Sequence, residues 1–182
     1  MTRSLLLLAA LLAAAAPARA QDSTVVNVVR HAEKADDSAD PPLSAAGEAR
    51  ARALAERLAD ARPDAVLVTQ YVRTHATAAP TLAAARLAPW QIPTRGGELP
   101  HAAAVARAIR GELAGRTVLV VGHTSTVPAV VHALGGPELP ELCETEYANL
   151  FVVVLRDGAA PRFERRTYGT PDPEGADLCD GP

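Results

Sequence analysis

Four side chains that can bind or transfer a phosphoryl group follow three apolar segments of the sequence. Arg30 and His31 come directly after the first segment, Arg73 lies a few residues past the second, and His123 follows the third. If these segments are strands of one parallel sheet, the four side chains meet beyond its carboxyl edge, where such sheets bind ligands. This composition suits a phosphoryl group, because guanidinium forks match its oxygens and keep their charge at physiological pH.

Each of these residues also has an ordinary structural explanation. An Arg-His pair can simply end a strand, Arg73 can be a solvated residue in the first turn of a helix, and His123 can cap a helix or lie in the core. Their placement after three separate predicted strands favours a shared site.

The segments that would position these residues alternate between strands and helices. Short apolar runs predict strands buried on both faces, at residues 25–29, 65–68, 92–94 and 117–121. Ser44 can cap a helix with apolar residues at helical spacing, namely Ala51, Leu54, Ala55 and Leu58. Further helices are predicted at 72–87, 100–114 and 126–134, and an antiparallel strand pair at 150–155 and 162–168. The pattern predicts an α/β fold, a three-layer sandwich with a mostly parallel central sheet and antiparallel strands near the C-terminus.

The first 20 residues have the pattern of a signal peptide. Arg3 gives a positive start, residues 5–16 are apolar, and Ala18-Arg19-Ala20 resembles a cleavage site before Gln21. The apolar run is shorter than the roughly 20 residues of a membrane-spanning helix, so we expect a periplasmic or secreted protein without stable membrane insertion; an uncleaved anchor is the alternative. Residues 21–182 are then expected to form one domain with an irregular tail after about residue 169.

Composition limits the partners of this chain. The formal net charge is −3 and aromatic residues make up 3% of the sequence, which argues against a nucleic-acid partner because neither a basic surface nor a stacking platform is available. Cys143 and Cys179 lack the spacing of metal ligands and can form a disulfide in an oxidising compartment, the alternative being two free thiols.

Four motifs resemble the histidine phosphatase superfamily, also called phosphoglycerate mutase-like. They are RHAE at 30–33, LSAAGEARA at 43–51, TQYVRTHATA at 69–78 and VVGHTSTVPA at 120–129. The resemblance implies the family's α/β fold, a phosphohistidine intermediate on His31, and a phosphate pocket formed by Arg30, Arg73 and His123. Thr124 follows the second histidine where phytase-like members have Asp, which disfavours a phytase-like assignment. The compact chain lacks the longer insertions of mutase members and resembles the short exported bacterial members of branch 1.

The chemistry implied by this resemblance is double displacement without a metal or organic cofactor. Neutral His31 attacks phosphorus, a general acid protonates the leaving alcohol, and water then hydrolyses the phosphohistidine. Glu98 lies in the region where branch 1 has its acid, with Glu33 and Glu146 as competitors. Thr124 is a candidate hydrogen-bond donor to phosphate.

Three functions are compatible with these residues. The leading hypothesis is an exported phosphatase for phosphate monoesters, with small or lipid-linked phosphorylated substrates. A phosphate-ligand binding protein of the same fold is the alternative if no working proton donor exists, and a phosphomutase is a third.

Overall fold

In the computed structural model, residues 23–175, 177 and 179 are described, and the predicted signal peptide lies outside these residues. Six strands form one sheet: β1 (Thr24–Arg30), β2 (Ala65–Val68), β3 (Trp90–Gln91), β4 (Thr117–Gly122), β5 (Asn149–Leu155) and β6 (Arg162–Thr167). Four helices are described: α1 (Ala45–Arg57), α2 (Val72–Ala85), α3 (Glu98–Arg110) and α4 (Thr126–Ala133). None of the helices in this part of the chain has the length and apolar character needed to span a membrane.

The strand order is β3-β2-β4-β1-β5-β6, with parallel pairing from β3 to β1 and antiparallel pairing of β5 with both of its neighbours. The central strand β1 is parallel to β4 in a register that places Arg30 opposite Gly122. The residues that follow, His31 and His123, therefore leave the sheet side by side.

Helices cover both faces of the sheet. Val28 of β1 belongs to a core cluster with Ile109 of α3 and Val131 of α4, whereas the next residue, Val29, packs in a second cluster with Leu54 of α1 and Ala78 of α2. Because successive strand residues face opposite sides, the valines of β1, interrupted only by Asn27, supply both clusters. The predicted three-layer α/β sandwich with a mostly parallel sheet is confirmed.

Two predicted boundaries near the site were wrong. The third strand lies at Trp90–Gln91 rather than at 92–94, because it pairs with the last two residues of β2, and the amide of Ile92 makes the final bond to the carbonyl of Val68 at 2.8 Å. Helix α3 begins at Glu98 rather than at Pro100. A proline is tolerated in the first turn of a helix because the amides there have no partner within the helix.

Candidate active site

The two histidines meet at the carboxyl ends of β1 and β4. The amide of His31 donates to the carbonyl of Gly122 at 2.9 Å, and the His31 and His123 rings lie edge to face with centroids 5.3 Å apart. An open cavity of about 300 Å³ is lined by both rings and by Arg73. The structure thus brings three of the four predicted residues to one cavity.

His31 is a neutral imidazole with one free lone pair. Its Nδ1 lies 2.8 Å from the carbonyl oxygen of Ala32, and since a carbonyl only accepts, Nδ1 carries the hydrogen and Nε2 the lone pair. His31 as a residue is 4% exposed. Burial lowers the pKa of His31 to about 3, opposed by the bond to Ala32 and reinforced by the charges of Arg30 and Arg73.

The tautomer of His123 is set by two neighbours. Arg73 Nη2 lies 3.4 Å from His123 Nδ1, and Thr69 Oγ1 lies 3.0 Å from Nε2. A guanidinium only donates, so Nδ1 accepts and Nε2–H donates to the fully buried Thr69. Burial, together with the nearby His31 and Arg73, lowers the pKa of His123 to about 3. Sequence analysis missed Thr69 because the hydroxyl reaches His123 across 54 positions of the chain.

Arg73 is held by an aromatic ring and a carboxylate. Its guanidinium lies 4.3 Å from the centre of the Tyr71 ring, and Nη1 lies 3.3 Å from Asp40 Oδ1. Asp40 also accepts the Val72 amide at 3.0 Å, which satisfies a backbone donor at the start of α2 that Tyr71 does not cap. Asp40 therefore ties the loop after His31 to α2.

Arg30, in contrast, is not among the residues that line the cavity and is held by the loop before β5. Nη1 donates to the Cys143 carbonyl at 2.7 Å and to the Glu146 carbonyl at 3.2 Å, while Nη2 donates to Glu144 Oε2 at 2.7 Å. The guanidinium also stacks 4.2 Å from the centre of the Tyr147 ring. With 1% exposure, Arg30 does not line the cavity in this arrangement.

A disulfide fixes the loop that receives Arg30. Cys143 and Cys179 are bonded, with their Cα atoms 4.8 Å apart. Among the described residues, no helix or strand follows β6. The bridge ties this irregular C-terminal segment to the loop whose carbonyls accept from Arg30.

Glu98 is the only one of the three candidate acids that lines the cavity. Glu33 Oε1 accepts from Nε and Nη2 of the buried Arg50, each at 2.8 Å. Glu146 is also buried and accepts from the Cys143 amide at 2.9 Å and from Arg165 at 3.2 Å. The two competitors are therefore held in structural bonds, whereas Glu98 is exposed at the first turn of α3.

Other polar groups complete the cavity. Lys34 and Glu144, both missed by sequence analysis, line it with Nζ and Oε2 3.5 Å apart. Thr124 also lines the cavity, but its hydroxyl donates to Glu141 at 3.0 Å. Within the described part of the chain, no three His, Cys, Asp or Glu side chains are grouped so that they could hold a metal ion.

Comparison with known proteins bears on the family and the fold. Residues 26–96 match the model of the histidine phosphatase superfamily (branch 1), which confirms the resemblance predicted from the sequence. No protein of curated function matches the sequence.

Solved structures show the same fold at low sequence identity. The protein histidine phosphatase SixA in complex with tungstate is 22% identical, with a TM-score of 0.62 over 79% of this chain and 96% of that one. A mycobacterial glucosyl-3-phosphoglycerate phosphatase is 17% identical (TM-score 0.61, 80% and 98% covered), and Bacillus stearothermophilus YhfR is 18% identical (TM-score 0.60, 76% and 94% covered).

Proposed function

Since residues 26–96 match branch 1 of the histidine phosphatase superfamily, we propose that this protein is a phosphatase that hydrolyses phosphate monoesters through a phosphohistidine on His31. The observation that carries the proposal is the state of His31. Its Nδ1–H is fixed on the Ala32 carbonyl, its Nε2 lone pair is free, and burial keeps the ring neutral. A neutral, oriented imidazole beside an arginine is what nucleophilic attack on phosphorus requires.

In the first step, His31 Nε2 forms a bond to phosphorus while the bond to the leaving oxygen breaks. Charge on the transferring group is stabilised by Arg73 and Lys34, which line the same cavity. The negative charge of a phosphoryl dianion next to His123 raises the pKa of this residue, against the burial and the positive charges that lower it in the empty site. His123 then takes a proton from solvent on Nδ1, Arg73 turns its Nη2–H from Nδ1 to the phosphoryl group, and Nδ1–H donates to the same group while Nε2–H remains on Thr69.

The leaving oxygen takes its proton from Glu98. In the second step, the Glu98 carboxylate accepts a proton from the water that attacks the phosphohistidine, so inorganic phosphate leaves and both residues return to their starting states. Glu98 has this role in the proposal because it lines the cavity whereas Glu33 and Glu146 are held elsewhere.

The proposed substrates are small or lipid-linked phosphorylated compounds with a polar group next to the phosphate. The cavity wall beside the histidines is polar, with Thr94, Glu98, Thr124 and Glu144 among its residues. The proposed location is the periplasm or the exterior of the cell. It is supported by the disulfide between Cys143 and Cys179, since such bonds persist in oxidising compartments, and by the signal-like pattern of the first 20 residues.

The proposal is tested by the turnover of an aryl phosphate and of a sugar monophosphate. His31→Asn is expected to abolish both activities. Glu98→Gln is expected to slow sugar phosphate hydrolysis far more than aryl phosphate hydrolysis, because a good leaving group needs little protonation. Glu112→Gln is the matched control, since this exposed carboxylate lies beyond the opposite end of α3.

The outcomes separate the possible functions. Turnover by the His31→Asn variant at the parent rate would contradict the mechanism. Phosphate-induced stabilisation of the parent protein without any turnover would instead indicate a phosphate-binding protein.

A further inference from the structure

The carboxylate of Glu144 contacts two positively charged groups at the cavity, Arg30 and Lys34. Its Oε2 accepts from Arg30 Nη2 at 2.7 Å and lies 3.5 Å from Lys34 Nζ. Glu144 lines the cavity together with His31 and Lys34. A carboxylate and a phosphoryl group bind guanidinium groups with the same fork geometry, so the two compete for these donors.

Arg30 Nη2, which donates to Glu144 at 2.7 Å and to the Tyr147 hydroxyl at 3.4 Å, can contact a phosphoryl group only if Glu144 releases it. The guanidinium is 1% exposed, and its Nη1 is held by the carbonyls of Cys143 and Glu146. Of its donors, Nη2 is the one turned to a side chain of the cavity wall, and that side chain is Glu144. The backbone bonds keep Arg30 in place when Glu144 leaves.

Glu144 is able to move without unfolding its loop. Its side chain is 67% exposed, so rotation into solvent costs little, as is usual for ion pairs that face water. The loop itself stays fixed by the disulfide at Cys143 and by the bond from the Cys143 amide to Glu146 at 2.9 Å. Although partial burial opposes ionisation, the charges of Arg30 and Lys34 lower the pKa of Glu144, so it is an anion at neutral pH.

We propose that Glu144 is an internal competitor for phosphate, which holds Arg30 and Lys34 in the empty site and is displaced by the phosphoryl group. The inference rests on the proposed function, because it requires that this cavity binds a phosphoryl group. The consequence is a lower affinity for inorganic phosphate, because the Glu144 carboxylate competes for Arg30 and Lys34 and binds them again as the product leaves. Glu144 thereby sets the affinity of the site for phosphate and the strength of product inhibition.

The test compares the binding of inorganic phosphate by the parent protein and by Glu144→Gln, measured by calorimetry and by inhibition of aryl phosphate turnover. We expect Glu144→Gln to bind phosphate about tenfold more tightly, because a tenfold change in affinity corresponds to the loss of about one competing charged hydrogen bond. The KM for the aryl phosphate and the inhibition constant of phosphate are expected to fall by a matching factor.

Two further variants separate displacement from a general effect of charge. Glu144→Asp keeps the charge but shortens the side chain, so that it no longer reaches Arg30; displacement predicts tighter phosphate binding, whereas a long-range charge effect predicts no change. Glu141→Gln removes a nearby exposed carboxylate that holds Thr124 rather than Arg30, and displacement predicts a smaller effect than at Glu144.

The failures are distinguishable. Unchanged or weaker phosphate binding in both Glu144 variants would overturn the role of Glu144 and leave the phosphatase intact. If neither the parent protein nor the Glu144 variants bind phosphate or hydrolyse an aryl phosphate, the proposed function and this inference both fall.

Discussion

The buried imidazole of His31 and the half-buried imidazole of His123 make the stability of the fold depend on pH. In the folded protein, burial lowers the pKa of His31 and that of His123 to about 3 each, whereas in an unfolded chain an imidazole has a pKa of about 6.5. Between these values the unfolded chain binds more protons than the folded protein. The free energy of unfolding must therefore fall as the pH drops from 6.5 towards 3, and it is highest above that window.

The size of the effect follows from the same two values. At pH 5 an imidazole that must stay neutral in the fold lowers the free energy of unfolding by about 2 kcal/mol relative to pH 8. His31 and His123 together then account for a loss of about 4 kcal/mol. This is a large fraction of the total stability of a typical domain, which is roughly 5–15 kcal/mol.

Urea unfolding at pH 8 and at pH 5 measures this decrease in the free energy of unfolding. The parent protein is compared with His123→Asn and with His132→Gln, the latter at an exposed position in the last turn of α4. Because each variant is compared with itself at two pH values, the packing cost of the substitution cancels. From pH 8 to pH 5, the free energy of unfolding of His123→Asn is expected to fall by about 2 kcal/mol less than that of the parent protein. The free energy of unfolding of His132→Gln is expected to fall by as much as that of the parent. An equal loss in His123→Asn and the parent would refute the view that burial keeps His123 neutral.

Three other predictions concern groups around the histidines. Cys143→Ser should lower the free energy of unfolding by about 4 kcal/mol, because the bridge spans 36 positions of the chain; an unchanged denaturation midpoint would argue against the bridge. Thr69→Val should reduce kcat at least tenfold by removing the acceptor for His123 Nε2–H, and Thr69→Ser should restore it, whereas equal loss in both would point to packing alone. Gly47→Ala should cost about 2 kcal/mol or more in thermal unfolding, because a Cβ there collides with the Glu33 carbonyl; an unchanged Tm would contradict this close contact.

The meeting of the two histidines could be predicted because it depends on strong local signals. Strands buried on both faces read as runs of valine, and residues that follow parallel strands come out at the same edge. The fold class needs no more than this alternation of elements, and the register of Arg30 opposite Gly122 then places His31 beside His123. The short strand β3 had no such signal, since two residues carry no periodicity.

The partners of the arginines could not be predicted, because they lie far away in the sequence. Arg30 reaches Glu144 across 114 positions, in an irregular loop whose path is set by long-range bonds. In the same way, the choice between Glu98 and Glu33 depends on Arg50, a helix residue that no pattern links to Glu33 although its guanidinium binds that carboxylate at 2.8 Å. Sequence analysis proposed three carboxylates for the acid, and of these only Glu98 lines the cavity, together with Glu144, which sequence analysis did not consider.

The central claim is that His31 carries the phosphoryl group between the two steps. The most direct measurement is to mix the protein with a phosphomonoester labelled on phosphorus, quench within the first turnovers, and locate the label on the intact chain. A label that survives alkali, is lost in acid, maps to His31 and is absent from His31→Asn is the predicted result, since these are the properties of phosphohistidine. Turnover without any label on the protein, or a label that persists in His31→Asn, would contradict the mechanism.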